Sequence, residues 1–175
     1  SDFSYTEMLL EIEPGPDAGF ALGMFLVYTT FGTLDFRTVM AHAAEMPVEW
    51  AWGGTLTVIA LCLFVGATGK SAQLPLYVWL PDAMEGPTPV PAYLHSATMV
   101  KAGVSLLMRL NPAMGGTAPW QTILPLFGGI TLLVGALLAI RQTDLKLKLA
   151  YTTVSSLGLL VLLTGFGSDS AIEAA

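Results

Sequence analysis

Residues 55–81 read TLTVIALCLFVGATGKSAQLPLYVWLP. No charged residue precedes Lys70 in this stretch, and the residues after it remain apolar and aromatic although they include Pro75 and Pro81. Each proline removes a backbone hydrogen-bond donor and disfavours helix at the residue before it. The pattern therefore predicts a membrane helix over residues 50–69 that breaks after Lys70 and resumes as a short second half, with Pro75 and Pro81 as the hinge.

The rest of the chain is similarly apolar. Apolar residues make up 54% of its 175 residues and charged residues only 11%, whereas a soluble domain has about 25% charged residues. A helix needs about 20 mostly apolar residues to cross a bilayer. Further candidate spans are residues 19–34, 91–110, 122–140 and 149–166. The predicted fold is all-α, a polytopic transmembrane helical bundle of about five spans with one broken helix.

The two ends of the sequence indicate a part of a longer protein. Residues 1–18 are a polar, acidic segment that lacks the basic start of a signal peptide. Residues 19–175 are the predicted transmembrane core, which stops in a segment that looks unfinished. We therefore expect this core to be a fragment of a larger membrane subunit.

Charge and composition exclude several function classes. The formal net charge of −6 leaves no basic stripe that could neutralise phosphates, so nucleic acid is not an expected partner. The one cysteine, Cys62, lies in an apolar run, and the two histidines are far apart in the sequence. We expect no disulfide, no metal site and no bound cofactor, and we expect the lipid bilayer as a partner.

Basic and aromatic residues predict how the chain lies in the membrane. Arg141, Lys146 and Lys148 form the densest basic cluster, which the positive-inside rule assigns to the cytoplasm. The connections at residues 111–121 and 35–49 are then external loops. Four tryptophans near span ends fit an aromatic belt at the membrane surface: Trp50, Trp52, Trp79 and Trp120.

Three ionisable residues within the predicted spans are candidates for chemistry: Lys70, His95 and Lys101. Placing a lysine at the bilayer centre costs at least about 2.5 kcal/mol, so we expect Lys101, midway along span 91–110, to be shielded from lipid. His95 lies about 120° around the same helix and about 9 Å along it, which suits a relay better than a metal site. For Lys70 the alternative is a side chain that reaches out to the headgroups, and for His95 it is a packing role.

The proline-rich break predicts a local geometry. Pro75 should leave a carbonyl about one turn upstream, near Ser71, without its helical partner. Such a carbonyl needs a protein donor or water. We therefore expect the break to border a hydrated cavity that reaches Lys70.

Two stretches carry a resemblance to a known family. GKSAQLPLYVWLPDAMEGPTPVPAYLHSATMVKAG (residues 69–103) and TDLKLKLAYTTVSSLG (residues 143–158) resemble antiporter-like membrane subunits. That family includes the large A subunit of Mrp-type Na⁺/H⁺ antiporters and the homologous proton-pumping subunit of respiratory complex I. The resemblance implies that Lys70 and His95 belong to a chain of lysines, histidines and a glutamate along the midplane of the membrane, with the glutamate upstream of this chain.

The motifs point to both branches of the family. HSATMVKAG, which contains Lys101, is similar to the Mrp branch, whereas GKSAQ, MEGPTPV and GTLDF are similar to complex I. Pro91 stands where the family usually has serine, and Ser156 stands where it usually has glutamine. Neither position belongs to the relay. The preferred branch implies a transporter rather than an enzyme.

The resemblance also implies the setting of the protein. In the preferred hypothesis it translocates protons and monovalent cations, Na⁺ among them, within a multisubunit Mrp-type antiporter in the cell (inner) membrane, as a multi-pass protein. The alternative is a proton-pumping translocase subunit of NADH:quinone oxidoreductase. A third hypothesis is a structural membrane scaffold whose basic residues only pair with lipids or neighbours.

Overall fold

The computed structural model describes residues 14–45, 54–82, 84 and 99–166. Within these residues all regular secondary structure is helical. The helices, in chain order, are α1 (Pro14–Phe31), α2 (Phe36–Glu45), α3 (Thr55–Lys70), α4 (Trp79–Asp82), α5 (Met99–Met114), α6 (Ala118–Arg141) and α7 (Leu145–Phe166).

Length and composition make two of these helices membrane-spanning. α6 and α7, with 24 and 22 residues, are each long and apolar enough to cross a bilayer. Residues Ala18–Phe31 and Phe36–Glu45 are bent by 65° and pass the same test only together, which gives up to three spans in the part of the chain described. α3 has 16 residues, about 24 Å of helix, and the broken segment continues it.

The helical membrane fold is confirmed, and each predicted span contains a helix. α5 begins at Met99 in the described part of the chain, so residues 91–98 of its predicted span lie outside it. The loop predicted at residues 35–49 is wrong in part, because α2 occupies Phe36–Glu45.

A cap explains the start of this unpredicted helix. Asp35 Oδ2 accepts hydrogen bonds from the Thr38 amide at 3.1 Å and from the Thr38 hydroxyl at 2.7 Å. An aspartate that accepts from the third residue of a helix is an N-cap. α2 mixes polar and apolar residues, FRTVMAHAAE, so a search for continuous apolar stretches misses it.

Small residues bring α6 and α7 into backbone contact. A Cβ atom at Gly128 would lie 2.5 Å from the Leu162 amide nitrogen, and one at Gly158 would lie 2.6 Å from the Leu132 amide nitrogen. The Ser155 hydroxyl donates to the Leu132 carbonyl at 3.1 Å. Close approach through small residues, with hydroxyls bonded across the interface, is typical of paired membrane helices.

The buried core lies where α3, α5, α6 and α7 meet. Phe64 and Phe127 contact edge to face, with ring centroids 5.6 Å apart. Trp120 is only 2% exposed, and its indole N–H donates to Asn111 Oδ1 at 3.0 Å. The predicted place of Trp120 in a surface aromatic belt is therefore wrong, because the buried amide of Asn111 supplies the partner that its N–H needs.

One side of α6 presents large apolar side chains away from the core. They recur every three to seven positions and so share one face of the helix: Leu126, Leu133, Leu137 and Ile140. A soluble surface rarely carries such a continuous apolar stripe. The stripe suits hydrocarbon or further membrane helices.

Candidate functional site

The candidate site is the break that follows α3, and a helix cap defines it. Ala72 has φ of 49°, and the Gln73 amide donates to the Thr68 carbonyl at 3.1 Å. A left-handed residue followed by this six-to-one hydrogen bond is a Schellman cap. Glycine usually occupies the left-handed position, and an L-residue there costs roughly 1–2 kcal/mol. The chain therefore turns away sharply just after Lys70, as the prolines predicted.

Side chains within the break satisfy carbonyls that the helix no longer can. The Ser71 carbonyl, which was expected to lose its helical partner, accepts a hydrogen bond from Gln73 Nε2 at 3.1 Å. The Gly69 carbonyl accepts from the Trp79 indole N–H at 2.9 Å. The polar atom of Trp79 is therefore hydrogen-bonded within the protein. Internal donors of this kind allow irregular backbone to exist at membrane depth.

α6 holds the other side of the break through one hydroxyl. The Leu74 amide donates to Thr131 Oγ1 at 3.0 Å, and the Thr131 hydroxyl donates to the Phe127 carbonyl at 2.7 Å. Thr131 is fully buried. This side chain accepts one hydrogen bond and donates another, so it fixes the break against a long spanning helix.

α5 packs its backbone against the end of α3. A Cβ atom at Gly103 would overlap the Ala67 carbonyl and Ser71 Oγ, and the Val104 amide donates to Ser71 Oγ at 3.1 Å. Only glycine permits this approach. The turn of α5 that carries Lys101 consequently lies beside the turn of α3 that carries Lys70.

The structure describes four of the five site residues predicted from the sequence and places them in different parts of the fold. Lys70 is the last residue of α3, where the negative end of the helix dipole favours a cation by about 0.3–1 kcal/mol. Lys101 lies in the first turn of α5, as described from Met99. Pro75 lies in the break and Pro81 is buried in α4. His95 lies outside the described residues.

Both lysine side chains lie on the surface of this part of the chain. The described residues therefore do not provide the shielding expected for Lys101, which would have to come from elsewhere in a larger subunit. A cavity of about 360 Å³ opens between α6 and α7, where Lys148, Thr152 and Ser155 line it. Because Lys70 does not line this cavity, the hydrated space expected beside Lys70 stays a prediction.

Several residues of the site were not predicted from the sequence. Gln73 is fully buried, and its Oε1 has no hydrogen-bond partner among the residues described. An unsatisfied buried acceptor costs about 1–3 kcal/mol. The polar pair Ser71 and Gln73 beside the break was a usable signal, because polar residues within apolar surroundings need partners. Nothing in the sequence distinguished Ala72, or singled out Thr131 from other threonines in spans.

Known proteins resemble this chain across the broken helix and both long spans. Residues 16–175 match the family described as "NADH:quinone oxidoreductase/Mrp antiporter, TM". The chain belongs to this family. Members with either name in that description therefore share the stretch that contains the broken helix, and the predicted resemblance is confirmed.

Relatives from both branches are similar to this chain of the NADH:quinone oxidoreductase/Mrp antiporter family. It is 49% identical over 153 residues to the A subunit of the Na⁺/H⁺ antiporter of Alkalihalophilus pseudofirmus, covering 86% of this chain and 18% of that protein. It is 46% identical over 151 residues to the L subunit of the NADH-quinone oxidoreductase of Mycobacterium tuberculosis, covering 86% and 23%. The chain thus spans about a fifth of the length of these relatives.

Solved structures of similar fold come from membrane complexes. A chain of the Mrp complex from a Dietzia species superimposes with a TM-score of 0.81 at 37% identity, covering 89% of this chain and 17% of that one. A chain of an archaeal membrane-bound sulfane sulfur reductase reaches a TM-score of 0.70 at 24% identity, covering 94% and 34%, a likeness of fold alone. The family's fold and its multi-pass membrane character therefore apply to this chain.

Proposed function

We propose that this chain is part of a multisubunit Mrp-type Na⁺/H⁺ antiporter and helps to exchange protons for monovalent cations across the cell membrane. The observation that carries the proposal is the break immediately after Lys70, where buried side chains stabilise a non-helical backbone. Irregular backbone at membrane depth is found where it lines a path or a cavity. The 49% identity to the A subunit of an antiporter supports the same function.

In this proposal Lys70 gains and releases a proton in each cycle. Lys70 is the last residue of α3 and lies next to the non-helical backbone of the break. Arginine could not serve here, because a guanidinium does not release its proton at accessible pH.

Lys101 is proposed to belong to the same relay as Lys70. The backbone of α5 abuts the end of α3 near Gly103, so the turns of the two helices that carry the lysines are neighbours. His95 would accept or supply protons in the same relay.

A second candidate function rests on sequence identity. The identity to the L subunit of an NADH-quinone oxidoreductase, 46%, is close to the identity to the A subunit of the antiporter. In that function the same lysines would move protons, and partner subunits would drive them by quinone reduction. Lys101 within HSATMVKAG favours the antiporter.

The test is transport by the full-length protein in its assembled complex, in everted membrane vesicles. Lys70→Ala is expected to reduce Na⁺-driven proton movement by at least about a hundredfold, within the range of lost proton-transfer groups. Lys70→Arg should fail as well, because arginine keeps its proton. Fluorescence of a ΔpH-sensitive dye, after addition of NaCl, measures the rate.

Lys146→Ala is the matched control, because Lys146 is an exposed lysine in the first turn of α7, remote from the break in sequence. It should transport like the unmodified protein. Normal transport by Lys70→Ala would contradict the proposal, and normal transport by Lys70→Arg would reduce Lys70 to a fixed charge. Proton movement that follows NADH and ignores Na⁺ would favour the second candidate.

A further inference from the structure

The cavity between α6 and α7 lies outside the broken helix and has a volume of about 360 Å³. On the α7 side it is lined by Lys148, Thr152, Ser155 and Ser156, and on the α6 side by Ile140 and two alanines. Its basic end adjoins the short connection between the two helices. The positive-inside rule assigns this connection to the cytoplasm.

The hydroxyls of the cavity give their hydrogens to backbone carbonyls. Thr152 and Ser156 donate to carbonyls of α7 itself, at 2.8 and 2.9 Å, and Ser155 donates to a carbonyl of α6 at 3.1 Å. A hydroxyl has only one hydrogen to donate. The ammonium of Lys148 is therefore the side-chain donor of the cavity that remains for a ligand.

The acid nearest to Lys148 in the sequence has another role. Asp144 Oδ1 accepts a hydrogen bond from the Lys146 amide at 3.0 Å, and the Asp144 carbonyl accepts from the Lys148 amide at 2.9 Å. Asp144 thus caps the start of α7. Lys148 is exposed at the cavity, and a cation in this position attracts an anionic group.

The apolar stripe of α6 shows which kind of anion fits. Ile140 belongs to both the cavity and the stripe, and Leu137 and Leu133 continue the stripe away from the basic end over about 10 Å. A free phosphate ion would use Lys148 alone. A phospholipid would use both features, with its headgroup at Lys148 and an acyl chain on the exposed leucines.

We propose that the cavity between α6 and α7 binds one anionic phospholipid, whose phosphate pairs with Lys148 and whose acyl chain lies along Leu137 and Leu133. Basic pockets between membrane helices on the cytoplasmic side bind anionic lipid headgroups. Phosphatidylglycerol suits the cavity, because the hydroxyl oxygens of Thr152 and Ser156 keep lone pairs that can accept from its glycerol hydroxyls. The site does not depend on which ion the longer protein carries.

Lipid binding by the full-length protein in its assembled complex tests this inference. Native mass spectrometry of the delipidated complex, titrated with phosphatidylglycerol, counts the lipids bound. Lys148→Ala should raise the Kd of one tightly bound lipid per subunit about tenfold, the size of one charge-assisted hydrogen bond. Lys148→Arg keeps the charge and should retain that lipid. Phosphatidylcholine, whose headgroup has no net charge, should not replace it.

Lys146→Ala is the matched control. Lys146 lies in the same turn of α7 and carries the same charge, but it is about 200° around the helix from Lys148 and does not line the cavity. Its loss should leave the bound lipid in place. Ser156→Phe leaves every charge unchanged and fills the cavity, so it should expel the lipid and decides the matter should Lys148→Ala fail to assemble.

A cryo-EM map of the unmodified complex should show a headgroup phosphate within about 3 Å of Lys148 Nζ. A further membrane helix seated in the cavity would overturn the inference. Equal losses of lipid in Lys148→Ala and Lys146→Ala would also overturn it, because the basic connection as a whole would then attract lipid without a specific site. Retention of the lipid by both Lys148→Ala and Ser156→Phe would place the bound lipid elsewhere.

Discussion

Side chains bond to backbone groups at three points in and beside the break. Ser71 Oγ accepts from the Val104 amide of α5, Gln73 Nε2 donates to the Ser71 carbonyl, and Thr131 Oγ1 accepts from the Leu74 amide. Buried backbone groups are nearly always paired in native proteins. The broken backbone therefore depends on a few polar atoms, each of which can be removed singly.

Thr131 gives the most direct test of this dependence. Thr131→Val keeps the shape of the side chain but leaves the Leu74 amide without an acceptor, which should destabilise the protein by about 1–3 kcal/mol. Thr131→Ser should retain most of the stability. The thermal unfolding midpoint of the purified complex in detergent measures the effect.

Thr122→Val is the control on the same helix. The Thr122 hydroxyl is exposed and donates only to the Ala118 carbonyl, at 2.8 Å, so its removal should change the midpoint little. Equal midpoints for the two valine variants would show that the bond to the Leu74 amide contributes nothing measurable.

The residue scale is where the sequence predicted least. Lysine within an apolar run and proline after it were sufficient to predict the end of α3 at Lys70. The left-handed backbone at Ala72 could not be predicted, because alanine carries no signal for that conformation. The bond between Leu74 and Thr131 joins positions that are 57 residues apart, and no local pattern contains such a pairing.

The contact between α6 and α7 is a backbone contact, made possible at Gly128 and Gly158. In a membrane the packing of small residues is a main attraction between helices, because lipid is as apolar as a leucine side chain. The α6–α7 pair should therefore behave as a single rigid hairpin.

Adjacent glycines of α6 test this hairpin. Gly128→Ala would put a methyl group 2.5 Å from the Leu162 amide nitrogen, and such overpacking should cost about 1–3 kcal/mol. Gly129→Ala would meet only the tip of the Leu162 side chain, at 3.3 Å. It should be neutral or slightly stabilising, since alanine favours helix. The yield and unfolding midpoint of the assembled complex distinguish the two variants, and equal values would contradict close backbone packing.

At the element scale the long apolar helices were predictable and the amphipathic one was not. α6 and α7 follow from uninterrupted apolar stretches, which fix both type and approximate length. α2 was predicted as loop, because its stability comes from the Asp35 cap and from packing rather than from continuous apolar character. Trp120 was wrongly assigned to the membrane surface for a related reason. A hydropathy profile does not show that its indole N–H bonds to the buried side chain of Asn111.

The orientation of the whole molecule rests on charge. Arg141, Lys146 and Lys148 flank the short connection between α6 and α7, and basic loops stay in the cytoplasm. The opposite end of α6, near Gly116, should then face outward. α6 has 24 residues, about 36 Å of helix, so its ends lie on opposite sides of the bilayer.

Cysteine labelling tests this orientation. In full-length protein whose own cysteines, Cys62 among them, have been replaced, Thr143→Cys should react with a membrane-impermeant thiol reagent in everted vesicles only. Gly116→Cys should react in right-side-out vesicles only. Both positions are exposed, so accessibility to solvent does not separate them. The reverse pattern would invert the predicted topology.

The hydrogen bond between Leu74 and Thr131 also sets an order of events during synthesis. Its two residues are separated by 57 positions, and a ribosome adds roughly 5–20 residues per second. Roughly 3 to 11 seconds therefore pass between the synthesis of Leu74 and the synthesis of its acceptor, Thr131. Until α6 enters the bilayer, this amide must be satisfied by water, by the insertion machinery or by a temporary neighbour. The break therefore reaches its final hydrogen-bonded structure only after α6 has been translated and inserted.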